Sequence, residues 1–101
     1  MWLNKFEESI YGPFSDFIEK NIDKEFIFEL NDGAVLVVKD ETGDFESDNG
    51  LDSNEEGYEE YWERGFKIIK IIKDDANKYK IDQRFCINYH CIPNSYKVYN
   101  K

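Results

Sequence analysis

Apolar and polar positions along this chain repeat with two different periods, and the change of period marks its organisation. Trp2, Leu3, Phe6 and Ile10 recur at helical spacing, with Asn4, Lys5, Glu7 and Glu8 between them. Gly12-Pro13 is expected to end that piece. Phe14, Phe17, Ile18 and Ile22 form a second helical stripe, and Asp16 with Lys20 adds a favourable i,i+4 pair. The pattern predicts two short helices joined by a turn, the second from about Phe14 to Asp23.

The period then shortens. In EFIFELNDGAVLVVKD, Phe26, Phe28 and Leu30 alternate with Ile27 and Glu29, and Ala34 to Val38 is apolar and largely β-branched. Asp32-Gly33 between the two runs predicts a β-hairpin closed by a two-residue type I′ turn.

The segment EEYWERGFKIIKIIKD supports two readings. A helix would gain Ser53 as N-cap with Glu56 three residues on, and Glu60–Arg64 and Glu63–Lys67 at i,i+4. A strand accommodates Gly57 and Gly65, which would each cost a helix about 1 kcal/mol, and suits the density of Tyr, Trp, Phe and Ile. The strand is favoured for Tyr61 to Lys73; a helical turn over about 55–60 followed by a strand is the intermediate form. Asp74 to Lys78 reads as a turn. YKIDQRFCINYHCIP reads as a strand with Phe85, Ile87, Tyr89 and Cys91 on one face and Cys86, Asn88 and His90 on the other. Pro93 breaks it, and SYKVYN offers a short last strand. The expected fold is α+β: N-terminal helices, then a small antiparallel sheet or an SH3/Sm-like barrel of about five strands.

With 101 residues, the chain is expected to form one domain, 1–101. Hydrophobic residues make up 41% and aromatics 17%, too much for a disordered chain. The formal net charge of −9 repels nucleic acid and anionic lipid and attracts basic surfaces, so no nucleic-acid or membrane partner is expected. The opening MWLNKFEESI is broken by Asn4, Lys5, Glu7 and Glu8, which predicts no secretory signal, and no apolar run approaches the roughly 20 residues that span a bilayer. The expected compartment is the cytoplasm. Reduced Cys86 and Cys91, five apart and so on opposite faces of a strand, agree with it.

Candidate chemistry centres on charge. The segment Asp40 to Glu63 holds eleven acidic side chains and no basic one, half of the 22 in the chain. Starting at Asp44, oxygen ligands at the offsets of a calcium-binding EF-hand loop fall on Asp44, Glu46, Asp48, Asp52 and Glu55, with Gly50 at the carbonyl position and Asn49 where glycine is usual. The flank AVLVVKDETG is β-branched where that loop needs a helix, so no metal is assigned. His90 lies roughly 13 Å from Cys86 along a strand and cannot act as its base. No Gly-rich phosphate loop or spaced carboxylate pair is present, and neither an enzyme nor a cofactor is expected.

LNDGAVLVV, SDNGL and ERGFKI together resemble the pattern of the small Sm-like barrels, through Asp32, Gly33, Asn49, Arg64 and Gly65. The match lacks the second glycine expected after Val37, and the segment after Lys73 exceeds that short fold. It implies a small antiparallel barrel or meander, without RNA binding.

In EEGYEEYWE, Tyr58, Tyr61 and Trp62 lie among glutamates. Buried rings with a solvated acidic back are one reading. The other is an interface, in which aromatic anchors supply affinity and clustered acids steer a basic partner. The candidate partner-binding set is Asp44, Glu46, Asp48, Asp52, Glu55, Glu56, Tyr58, Glu59, Glu60, Tyr61, Trp62 and Glu63. In general character, and through DNGLDSNEEGYEEYWE, the chain is similar to the immunity proteins that bacteria make against their own polymorphic or contact-dependent toxins. That resemblance implies a cognate protein toxin with a basic surface, many such toxins being nucleases. A generic interaction module, or a homo-oligomeric barrel, and a calcium-binding protein are the alternatives; the sequence fixes no oligomeric state.

Overall fold

The computed structural model describes residues 5–52 and 54–99. Trp2, Leu3, Ser53 and the side chain of Phe6 lie outside the described residues. Helix α1 (Lys5–Lys20) is followed by strands β1 (Glu25–Glu29), β2 (Val35–Asp48), β3 (Glu60–Lys73), β4 (Arg84–Ile87) and β5 (Ser95–Val98). The strands form one sheet in the order β4-β3-β2-β1-β5, and each neighbouring pair is antiparallel. The fold is α+β, with a sheet whose edge strands β4 and β5 do not pair with each other among the described residues.

The two expected N-terminal helices are one. Pro13 lies inside α1, where it cannot donate to the carbonyl four residues back and costs the helix about 3 kcal/mol. Tertiary packing overrides that local break, because Tyr11, Phe14, Ser15 and Ile18 fall on one face and are all buried against the sheet. Glu7 and Glu8 in the first turn and Lys20 in the last match the helix dipole. The end is capped by Asn21, whose Nδ2 donates to the Phe17 carbonyl at 2.9 Å.

The core lies between α1 and one face of the sheet. Phe26 and Phe28 of β1, Leu36 and Val38 of β2, and Phe66 and Ile68 of β3 have no exposed surface. Phe14 is its hub, with its ring centroid 5.0–5.9 Å from those of Phe28, Phe66 and Tyr96. Tilted and edge-on pairs at such spacings add about 0.5–1.5 kcal/mol each beyond burial.

The hairpin between β1 and β2 forms as expected, but with a different turn. The Gly33 amide donates to the Leu30 carbonyl and the Leu30 amide to the Ala34 carbonyl, which leaves a three-residue loop, Asn31 to Gly33. A type I′ turn needs positive φ at both central residues; Gly33 has φ +91 and Asp32 is not in that region. Asp32 instead turns its carboxylate back onto the Ala34 amide at 3.0 Å.

β2 and β3 are each 14 residues long. At about 3.3 Å per residue, such a strand runs nearly the full 46 Å length of the molecule. The strand reading of Tyr61 to Lys73 therefore holds, and the helical pairs Glu60–Arg64 and Glu63–Lys67 do not form. β4 is shorter than expected: after Ile87 the chain turns, and the Cys91 amide donates to the Asn88 carbonyl. Pairing of Cys91 with Phe85 and Ile87 on one strand face is thus replaced by a return of its thiol toward the Cys86 carbonyl, 3.8 Å away. Both cysteines are free. No helix among the described residues is long and apolar enough to cross a membrane.

Candidate functional site

The segment Asp40 to Glu63 is not one loop. β2 runs on through Asp48, and Asp44, Phe45, Glu46, Ser47 and Asp48 pair with Arg64, Glu63, Trp62, Tyr61 and Glu60. Strand propensity is poor for such acids, but Tyr61 and Trp62 of β3 lie opposite Ser47 and Glu46 and supply residues that favour the pairing. The connecting loop is Asn49 to Glu59. Asn49 organises it: its amide donates to the Glu59 carbonyl at 3.1 Å and its Nδ2 to the Gly57 carbonyl at 2.8 Å. Gly50 and Gly57, with φ +86 and +84, make the bends that side-chain-bearing residues resist.

At the root of this arm lies a buried arginine. The side chain of Arg64 is 0% exposed, yet it ends among carboxylates from two other elements. Nη2 donates to Glu19 of α1 at 2.7 Å, Nη1 to Asp40 at 3.1 Å and Nε to Asp44 at 3.2 Å, the last two on β2. Tyr11 and Ser15 of α1 donate to the two oxygens of Asp44 at 2.8 and 2.7 Å. Burial works against the guanidinium charge, but Glu19 and Asp44 hold it firmly protonated. Asp40 is pushed the other way: burial raises its carboxyl above the ordinary carboxylate range, although Arg64 opposes the shift.

This network exists because the ladder is interrupted. The register shifts between Asp40 and Asp44, and Gly43 has φ +70. The bulge folds Thr42 over β3, where its Oγ1 accepts from the Gly65 amide at 2.8 Å. A Cβ on Gly65 would meet Thr42 Cγ2 at 2.8 Å, so any other residue there forces Thr42 to shift. The Arg64-Gly65 pair thus has a packing origin. The match to the Sm-like pattern falls on Asp32 and Gly33 in one turn, Asn49 in another and Arg64-Gly65 on β3, three separate places.

Further out, the chain clamps the arm. Glu7 Oε2 accepts from the Trp62 amide at 2.6 Å. Asn88 Nδ2 donates to Glu63 at 2.9 Å. Glu59 is held by the Tyr89 hydroxyl on one oxygen and by His90 Nε2 at 2.6 Å on the other. Tyr89 first and His90 second keep its carboxyl below the ordinary range. Tyr61 is buried, packs edge-on to Tyr89 and His90, and donates to the Asp48 carbonyl at 3.0 Å.

The candidate set therefore divides. Asp44, Glu59 and Glu63 are engaged inside the molecule, and Tyr61 and the half-buried Trp62 pack inward. Glu46, Asp48, Asp52, Glu55, Glu56 and Glu60 are exposed, and the half-buried Tyr58 donates from its hydroxyl to Glu60 at 2.9 Å. The calcium-loop reading fails on this division: Asp44, Glu46 and Asp48 lie on a strand, and Asp44 is taken by Arg64. Among the described residues no group of His, Cys, Asp and Glu is placed to hold a metal ion. Sequence reasoning missed Glu7, Tyr11, Ser15, Glu19, Tyr89 and His90 as supports of the arm. Only the spacing of Tyr11, Ser15 and Glu19 at i,i+4 hinted that one helix face carries polar groups inward.

A small α+β protein whose long central hairpin ends in an anchored acidic arm is the class that this geometry defines. Residues 10–86 match the family described as cognate immunity protein YxxD. That match covers most of the chain, which belongs to this family and is a toxin-immunity protein. Neither a curated protein nor a solved structure matches it.

Proposed function

We propose that this chain neutralises its cognate toxin in the cytoplasm by presenting the outer end of the β2–β3 hairpin to a basic surface, and that the toxin is of nuclease type. The observation that carries the reading is the arm itself. Glu46, Asp48, Asp52, Glu55, Glu56 and Glu60 face solvent on a segment without a lysine or arginine from Asp40 to Glu63. Nuclease sites are built to bind phosphate, so a row of exposed carboxylates is a fitting occupant of, or neighbour to, such a site.

The strand pairing favours the same reading. Asp48 lies directly opposite Glu60, a like-charge pair that weakens the strand pairing. A basic partner relieves this repulsion on binding. Because Arg64, Glu7, Tyr89 and His90 hold the arm from within, little ordering is left to be done in the complex, which favours affinity. Tyr58 is the aromatic group placed at the surface among the acids, and is the anchor expected to contribute most.

Co-expression tests the proposal. Cells making the toxin should survive with the wild-type chain and with variants of residues remote from the arm. They should lose protection with Asp52→Lys, Glu55→Lys and Glu56→Lys combined. Full protection by that triple variant would overturn the reading.

A further inference from the structure

The sheet face turned away from the core carries a second charge pattern, of opposite sign. Residues paired in register share a face. Lys39 lies opposite Lys67, and Lys67 opposite Arg84, so a row of cations crosses β2, β3 and β4. Lys70 opposite Val37 and Lys97 opposite Ile27 extend it toward β5. Like charges directly opposed weaken a sheet. Glu41 on Arg84 at 2.5 Å and Asp82 on Lys67 at 3.8 Å offset part of that cost at one side, and at the other Glu25, the register partner of Lys39 on β1, and Glu29 share the face, so its cations outnumber its acids but do not stand alone. Lys39, Lys70 and Lys97 are exposed around the half-buried Ile27. Solubility alone does not require cations here, since the chain already has a net charge of −9.

One molecule therefore carries two complementary surfaces, the lysine face and the acidic arm. They cannot meet within one copy. Lys39 and Asp48 sit on the same strand, nine positions apart, which separates them by about 30 Å along the sheet. They can meet between copies.

We propose that the lysine face around Lys39, Lys70 and Lys97 is the docking site for the acidic arm of a second copy of this chain. The contact is head-to-tail, so it joins copies into open chains rather than a closed dimer. Its salt dependence has a particular form. At about 0.01 M salt, where screening reaches about 30 Å, the net charges of two copies repel as wholes; at about 0.15 M, with about 8 Å, only the charges in contact count; at about 1 M these too are screened. Association is strongest at the middle value. The arm used is the one read above as facing the toxin, so toxin and second copy compete; that competition rests on the toxin reading, while the self-association does not.

Two triple variants test this, Lys39→Glu/Lys70→Glu/Lys97→Glu on the face and Asp52→Lys/Glu55→Lys/Glu56→Lys on the arm, each checked for folding by circular dichroism. Lys→Gln at the same three positions serves as the face variant if the reversal does not fold. Sedimentation at about 0.15 M salt should show the average mass of wild type rising with concentration. Each variant alone should stay monomeric. A mixture of the arm variant with the Lys→Gln face variant, which leaves one intact face and one intact arm and creates no second complementary pair, should give a 1:1 dimer. A wild type that stays monomeric to millimolar concentration, or a mixture that does not pair, would overturn the proposal. The face variant should still protect cells from toxin, so self-association can fail while the toxin reading stands.

Discussion

Arg64 on β3 donates from Nε to Asp44 on β2 at 3.2 Å, and the two residues are register partners across the hairpin. This contact joins the acidic arm to the core, because the same Asp44 accepts from Tyr11 and Ser15 of α1. Replacing Arg64 by Met leaves Asp40 and Asp44 buried or half-buried without their cation. Removing one partner of a buried charge network costs about 3–5 kcal/mol. Urea unfolding of Arg64→Met should show a loss of that order, and a loss below about 1 kcal/mol would contradict the placement of the guanidinium.

Gly65 and Thr42 make a paired prediction. Gly65→Ala drives a methyl group against Thr42 Cγ2 at 2.8 Å, and overpacking of this kind costs about 1–3 kcal/mol. Thr42→Ser removes Cγ2 and keeps the hydroxyl that accepts from the Gly65 amide. The double variant should recover part of the lost stability, which a double-mutant cycle measures directly.

Much of this was legible in the sequence, and what was not has a common cause. The hairpin around Asp32-Gly33, the strand at Tyr61 to Lys73 and the short last strand follow from alternation and turn chemistry, which act locally. The unbroken α1 does not, because a buried face from Tyr11 to Ile18 outweighs a proline that read alone ends a helix. The anchoring of Asp44 was equally hidden. An acid in an acidic run looks solvated until the fold brings an arginine twenty residues on to face it. The charge count found the arm; the division of its acids into engaged and exposed needed the register.

Phe14 tests the core. Its ring is buried and packs on Phe28, Phe66 and Tyr96 at once. Phe14→Ala should cost about 3–5 kcal/mol in denaturant unfolding, with α1 detaching from the sheet.

Acid stability should depend on Asp32. Hydrogen bonds from Lys78 first, then from Tyr79 and the Ala34 amide, lower its carboxyl from 3.8 to about 2. A carboxyl depressed on folding contributes stability that is fully present above its unfolded value and lost as pH falls through its folded one. The urea midpoint of wild type should therefore fall more steeply than that of Asp32→Asn between about pH 3.8 and about pH 2. Asp40, shifted upward, acts in the reverse sense in both proteins and cancels in the comparison.

On the proposed function, the exposed acids of the arm steer the cognate toxin in. Stopped-flow association with that toxin, followed against ionic strength for wild type and for Glu55→Gln/Glu56→Gln/Glu60→Gln, tests it most directly. The association rate should fall steeply with salt for wild type, be about tenfold lower for the variant at low salt, and converge for the two at high salt. Equal rates for the two proteins at every ionic strength would contradict it.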